Sequence, residues 1–381
     1  MWFLYAICTL LCVAYCVIII AYRIWFKKLK PFQPAATSVQ HLFFSIIIPA
    51  RNEEANIINC LQSIVANTYP QTHYEVIVID DFSTDSTQEC VRTMQQQYSN
   101  IRLLALEEMV GNRSLLAYKK KAIELAIGQA TGHWIVTTDA DCIVPVNWLH
   151  NLNSYVQQTN AVFVAAPVSF INTHSFVSIF QCLDFMSLQG ITAAAVSAGV
   201  HSMCNGANLA YSKAIFYAVD GFKGIDNIAS GDDMLLMDKI QKQHAGSIGY
   251  LFNTNSIVQT LPMPSWKDFI NQRIRWASKA GKYKDVKIIA VLVLVYLFNV
   301  LLLALFISCF FVPAIFIFWL MLLVVKTICE LCFMMPVAHF FKQEKLLRWF
   351  PLMQPFHILY TVMAGWLGIV GKYQWKDRKV K

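Results

Sequence analysis

Charge is scarce in this chain. Asp, Glu, Lys and Arg make up 14% of its 381 residues, against 56% hydrophobic residues. A soluble protein of this size carries roughly a quarter charged residues. With a mean hydropathy of +0.46, the composition excludes intrinsic disorder and leaves a chain partly solvated by lipid around one large core. A disulfide framework is missing too: the 11 cysteines are odd in number and scattered. Cys8, Cys12, Cys16, Cys309, Cys329 and Cys332 lie in apolar runs. Cys329 and Cys332 form a CxxC, but no second Cys/His pair stands at zinc-finger spacing, so they read as buried filler. Nor is there a basic folded domain. Residues 31–285 hold 17 Lys and Arg against 20 Asp and Glu, while the flanks hold 14 against 3. A nucleic-acid binder concentrates basic residues on its fold. Here they bracket apolar runs, as cytoplasmic anchors of membrane helices do, so a membrane is the expected partner and nucleic acid is not.

Residues 2–22 are apolar and uncharged, and Arg23, Lys27, Lys28 and Lys30 follow; about 20 such residues span a bilayer. A signal peptide carries its charge before the apolar stretch and a cleavage site after it. The reversed order predicts an uncleaved anchor with its N-terminus outside and the following chain in the cytoplasm. The expectation is an integral protein of the cell (inner) membrane. Three further apolar stretches lie at about 288–312, 313–336 and 350–371, with Pro313 marking a hairpin and Lys342, Lys345 and Arg348 returning the chain to the cytoplasm. The last either spans, which puts the basic tail (Lys372, Lys376, Arg378, Lys379, Lys381) outside against the positive-inside rule, or re-enters at Pro351 and Pro355. Lys326 and Glu330, four residues apart in an apolar run, are expensive there unless paired with each other.

Between the apolar flanks, Phe44–Ile48, Glu75–Ile79, Ile101–Leu106 and His133–Thr137 read as strands. Ala55–Ala66, Ser86–Tyr98 and Leu116–Ala130 read as the helices between them. This alternation predicts an α/β domain with a mostly parallel sheet, whose ligands bind at the carboxyl ends of the strands.

The polar residues sit at those ends. Asp80 and Asp81 close the second strand. Capping suits Asp85 and one of the pair, and Asp81 is read as a hydrogen-bond acceptor for a nucleotide's base or ribose. Asp139 and Asp141 follow the fourth strand, spaced so that one carboxylate reaches a sugar hydroxyl and the other a hard divalent ion, Mg²⁺ or Mn²⁺. Lys119, Lys120 and Lys121 open a helix where they oppose its dipole. A nearby diphosphate would relieve that, and Lys121 is chosen for it. Of Asp232 and Asp233, before the helix Met234–Gln241, one caps the helix and the other is a candidate general base. Gln272, Arg275 and Trp276 share one face of an interfacial helix, offering donors to phosphate and a flat ring to a sugar.

Together these segments resemble the membrane-bound family 2 glycosyltransferases of GT-A fold. The resemblance covers about residues 43–285 and rests on SIIIPARNE, IDDFSTDST, the KKKA segment, DAD, NGAN at Asn205–Asn208, GDD and QRIRW. Gln374-Trp375-Lys376-Asp377-Arg378 is similar to a tail of many members, with Asp377 in a glycine's place. The resemblance implies an inverting, metal-dependent transfer of a sugar from a nucleotide-diphosphate sugar, a UDP-sugar first, to a lipid or lipid-linked acceptor. It implies that Ala50, Glu53, Asp81, Asp139, Lys121, Gln272 and Arg275 bind the nucleotide and diphosphate, and that Asp141 holds the metal. Asp233 would be the catalytic base, with Asp232 in the place of the family's glutamate, and Asn205, Gly206, Asp232 and Trp276 would face the acceptor. The alternatives are a processive polysaccharide synthase and an inactive nucleotide-binding scaffold. The expected organisation is an anchor at 1–30, a GT-A catalytic domain at 31–263, an interfacial helix at 264–286, a membrane region at 287–371 and a basic tail at 372–381.

Overall fold

Runs of Ile and Val that end in polar residues become strands. In chain order the computed structural model holds α1 (Trp2–Lys28), β1 (Phe44–Ala50), α2 (Ile57–Val65), β2 (Tyr74–Asp80), α3 (Thr87–Gln97), β3 (Ile101–Ala105), α4 (Leu106–Val110), α5 (Tyr118–Gln129), β4 (Trp134–Thr137), β5 (Cys142–Ile143), α6 (Trp148–Gln158), β6 (Phe163–Ala165) and β7 (Val168–Phe170). There follow α7 (Phe176–Ser197), β8 (Leu209–Ser212), α8 (Lys213–Ala218), α9 (Met234–Gln243), β9 (Ile248–Tyr250), β10 (Val258–Thr260), α10 (Trp266–Ala277), α11 (Val286–Ser308), α12 (Phe316–Phe341) and α13 (Phe350–Val370). The structure describes residues 2–34, 40–111, 116–200, 203–228, 230–278, 285–370, 373–375 and 378–380. Lys372, Lys376, Asp377 and Lys381 of the tail lie outside these.

The chain divides into two compact units. The sheet unit comprises Lys30–Ile171 and Ser202–Leu261. Its main sheet has the order β3-β2-β1-β4-β8-β6-β9. β3, β2, β1 and β4 are parallel, and β8 runs antiparallel to β4 and β6. Ile46, Ile47 and Ile48 of β1 and Val76, Ile77, Val78 and Ile79 of β2 are all buried. Burial of consecutive residues, rather than every second one, means that both faces are covered, as parallel strands require. A second sheet, β5-β10-β7, completes the unit.

At the amino end of β2 the buried carboxylate of Glu75 gathers the neighbouring segments. It accepts hydrogen bonds from Ser45 Oγ (2.7 Å), Thr131 N (2.6 Å) and Thr131 Oγ1 (2.7 Å), and it pairs with Arg102 (3.0 Å). A Cβ at Gly132 would lie 2.7 Å from Ser45 N, so only glycine lets the segment before β4 come this close.

The helical unit comprises Met1–Leu29, Asn172–His201 and Pro262–Lys381. It therefore takes in α7, which lies within the 31–263 span expected for the catalytic domain. The physical reason is packing: α7 lies against α1 and α12 and is mostly buried, where the other long apolar helices are mostly exposed. Gly190 lets α7 and α12 touch, since a Cβ there would come within 2.6 Å of Val337. Among the described residues, four helices are long and apolar enough to cross a membrane: Phe3–Lys28, Phe176–Ser197, Val286–Ser308 and Pro313–Phe341. The segment α13 is helical but is not one of the four.

Lys326 and Glu330 do pair, at 2.7 Å. Gln354 of α13 joins them, accepting from Lys326 (2.7 Å) and donating to Glu330 (2.6 Å), and Tyr15 of α1 donates to Glu330. Every polar partner of this buried charge pair is thus supplied from within the unit.

Candidate functional site

Pro49 and Ala50 end β1, and Asp80 ends β2 in register with Ala50. The two loops that follow are laced together. Asp81 N donates to Ala50 O (2.7 Å), Arg51 donates to the carbonyls of Asp81 (2.8 Å) and Phe82 (2.7 Å), and Glu53 N donates to Thr87 Oγ1 (2.8 Å). Asn52 and Phe82 both adopt positive φ (50° and 55°), the turn geometry this lacing needs. Asp80 is the member of the acidic pair that serves the turn, accepting from Ser83 N (3.1 Å) and Gln88 Nε2 (2.8 Å). Asp85 likewise accepts from Thr87 N (3.1 Å) and Glu54 N (3.0 Å). The carboxylate of Glu53 accepts from Asn56 Nδ2 (2.9 Å). Ala50, Glu53 and Asp81 are therefore brought together at the ends of β1 and β2.

A second group gathers beyond β4. Lys119 on α5 pairs with Asp139 Oδ1 (2.8 Å) and lies 3.5 Å from Asp232 Oδ2. Burial disfavours its ammonium, but Asp139 and Asp232 outweigh this and raise its pKa. Thr137, the last residue of β4, donates to Gly206 O (2.9 Å), while Gly206 N donates to Asp233 Oδ2 (3.1 Å). A Cβ at Gly206 would sit 3.5 Å from Asp232 Oδ2 and 3.7 Å from Lys119 Nζ. Asp233 is the N-cap of α9, its Oδ1 accepting from Met234 N (2.7 Å), so the cap and the candidate base are one residue rather than the two that the sequence pattern separates. A carboxylate offers about four lone-pair sites, so these two hydrogen bonds leave Asp233 acceptor capacity. Asn205 turns the chain, accepting from Ala207 N (3.0 Å). Asp139, Gly206, Asp232 and Asp233 are thus assembled around one ammonium group, with Asn205 next to Gly206 in the chain.

That ammonium belongs to Lys119, which the sequence pattern did not single out. Lys121 pairs instead with Glu124 of its own helix (2.8 Å). Lys120 is buried and donates to the carbonyls of Ile225 (2.8 Å), Ile228 (2.6 Å) and Ser230 (2.9 Å). Successive helical residues point about 100° apart, so each lysine of the run meets a different environment. The signal that separates them is which one faces the strand ends.

Asp139 and Asp141 suit a divalent ion by the chemistry of their donors, hard carboxylate oxygens. Among the described residues, no group of three or more His, Cys, Asp or Glu side chains converges as a closed protein cage would. One or two carboxylates completed by a ligand's phosphates is the usual Mg²⁺ arrangement, and these residues fit it. Cys60 and Cys142 lie beside the two aspartates. Burial first, and then Asp141 and Asp139, push both thiols up.

Gln272, Arg275 and Trp276 lie on α10, in the helical unit. Ser265 caps the helix by accepting from Asp268 N (3.2 Å). Between the three sits Arg273, whose side chain is buried and paired with Asp184 of α7 at 2.5 Å.

Comparison with known proteins agrees with this architecture. The family model described as Glycosyl transferase family 2 matches residues 45–217, and Glycosyl transferase family group 2 matches 134–342. Glycosyltransferase AglE of Haloferax volcanii is 34% identical over 39% of this chain and 46% of its own length. The probable glycosyltransferase YdaM of Bacillus subtilis is 25% identical over 65% of this chain and 57% of its own. The chain thus spans about half the length of these relatives. Among solved structures, the mannosyltransferase PcManGT of Pyrobaculum calidifontis, in complex with GDP-Man and Mn²⁺, superposes with a TM-score of 0.60 at 18% identity, over 93% of this chain and 99% of that one. That likeness gives the GT-A fold.

Proposed function

The chain belongs to glycosyltransferase family 2, and we propose on that footing that it transfers a sugar, with inversion, from a nucleoside diphosphate sugar to a lipid or lipid-linked acceptor. The observation that carries this reading is the cluster of Asp139, Asp232, Asp233 and Gly206 around Lys119 beyond the end of β4. Glu53 and Asp81, beside Ala50, hold the nucleoside in this scheme, a UDP-sugar being the first donor to test. Lys119 takes the diphosphate contact first given to Lys121. Gln272 and Arg275 add donors to the diphosphate, and Trp276 stacks on the acceptor, with Asn205, Gly206 and Asp232 lining its approach.

In the reaction the acceptor hydroxyl oxygen attacks the anomeric carbon from the face opposite the diphosphate. The bond to the diphosphate oxygen breaks, and the hydroxyl proton passes to Asp233. Lys119 faces the charge that develops on the leaving group. Asp141, with Asp139, would hold a divalent ion, Mg²⁺ or Mn²⁺, which when bound supplies Lewis-acid neutralisation of that charge. PcManGT, with Mn²⁺ and GDP-Man bound, supports this for the present chain. The four long apolar helices support a membrane setting, and the basic residues after α1 support a cytoplasmic sheet unit at the inner membrane.

The test is Asp233→Asn in the purified full chain, supplied with UDP-glucose, UDP-N-acetylglucosamine and GDP-mannose. Loss of a general base predicts a fall in turnover of roughly 10²–10⁴-fold, with affinity for the free nucleoside diphosphate unchanged. Near-normal turnover would remove Asp233 from the role.

A further inference from the structure

Arg273 is not one of the residues given a role above, yet it touches Phe269, Gln272 and Trp276 of its own helix. Its Nε (3.0 Å) and Nη2 (2.5 Å) both donate to Asp184 Oδ2, and its Nη1 donates to Gln272 Oε1 (3.0 Å). The guanidinium plane lies 4.2 Å from the Trp276 ring centroid and 4.6 Å from that of Phe269. Asp184 is fixed in turn: Tyr360 of α13 donates to its Oδ1. Both partners of the pair are buried, with side-chain exposures of 4% and 3%.

This arrangement is more specific than a charge pair needs. Holding an ammonium beside Asp184 would satisfy the buried carboxylate. Only a planar fork can also engage the Gln272 amide and lie against the Trp276 ring. The bond from Nη1 fixes the amide of Gln272 as well: with its oxygen accepting from Arg273, its NH₂ group is turned away from Arg273 and remains available as a donor.

We infer that Asp184 and Arg273 are positioning residues for transfer: Asp184 orients the Arg273 fork, which fixes the Gln272 amide in the one orientation that leaves its NH₂ donors free for the diphosphate contact proposed for it. The inference rests on the role proposed for Gln272. It predicts that Arg273→Lys, which keeps a charge for Asp184 but cannot reach Asp184 and Gln272 together, leaves the fold intact and impairs transfer.

The experiment compares the full chain in phosphatidylethanolamine–phosphatidylglycerol nanodiscs with Gln272→Ala, Arg273→Lys and the double variant. UDP-glucose, UDP-N-acetylglucosamine and GDP-mannose are each supplied in turn, and the donor turned over by the wild type is used for all variants. The readouts are released nucleoside diphosphate per folded molecule, donor KM and melting temperature. Mispositioning of a contact group by about 1 Å lowers kcat about 10²-fold, so Arg273→Lys is expected to lose about 10- to 100-fold in kcat with donor KM nearly constant. The double variant should be no worse than Gln272→Ala alone. A normal kcat per folded molecule in Arg273→Lys, whatever its melting temperature, overturns the inference and leaves a purely structural pair. Losses that multiply in the double variant overturn it as well. A Gln272→Ala variant with wild-type turnover instead defeats the reading of Gln272, and the inference falls with it.

Discussion

The Lys326–Glu330 pair of α12 yields an asymmetric prediction. In Glu330→Met the Lys326 ammonium stays buried with Gln354 Oε1 as its remaining partner, and Tyr15 and the Gln354 amide lose their acceptor. In Lys326→Met the Glu330 carboxylate stays buried but keeps both Tyr15 and Gln354 as donors. Breaking a buried pair costs about 3–5 kcal/mol, so Glu330→Met should fall near the top of that range and Lys326→Met near the bottom. Converting both to Met removes the uncompensated charge and leaves neutral groups short of partners, at about 1 kcal/mol each. The double variant should therefore lose about 3 kcal/mol, less than Glu330→Met and well below the sum of the singles. Equilibrium unfolding in mixed micelles, followed by far-UV circular dichroism, measures all three. The reasoning is refuted if the double variant loses the sum of the singles, or if the two singles lose equal amounts.

Two further predictions concern the sheet unit. Lys119→Met should weaken binding of free UDP or GDP, measured by calorimetry, by at least about tenfold, the loss of a charge-assisted contact, while Lys121→Met should leave it within about twofold. Equal effects would mean that the Lys119 geometry does not govern the diphosphate. The Glu75 carboxyl is penalised by burial, but hydrogen bonds from Thr131, Ser45 and Arg102 outweigh this and hold its pKa below the ordinary 4.5. A carboxylate with a depressed folded pKa stabilises above its unfolded pKa and loses that contribution as pH falls through the folded one. Glu75→Gln should thus melt below the wild type at neutral pH, with the gap closing below about pH 4. A gap independent of pH would contradict this.

Strands β1 to β4 were legible because each is a short, mostly apolar run followed by polar residues, and the acidic clusters were legible because they sit where such runs stop. The roles within adjacent residues were not. Asp80 and Asp81 differ only in which one faces the turn, and Lys119, Lys120 and Lys121 differ only in rotation about α5. Both are settled by packing rather than by local pattern. Helix α7 was missed for a different reason. Its sequence carries Gln181, Asp184 and Gln189 and has no flanking basic cluster, so it lacks the outline of a spanning segment. Those polar residues are affordable because partners meet them: Gln181 exchanges hydrogen bonds with the backbone of Met263, and Asp184 binds Arg273.

The neighbouring lysines of α5 also tie two stretches of chain to a common beam. Lys119 grips Asp139, while Lys120 grips the carbonyls of Ile225, Ile228 and Ser230, just ahead of Gly231 and Asp232. Any tilt of that helix would carry Asp139 and the segment leading to Asp232 and Asp233 in step. A perturbation on its outer face would therefore shift both acidic groups at once.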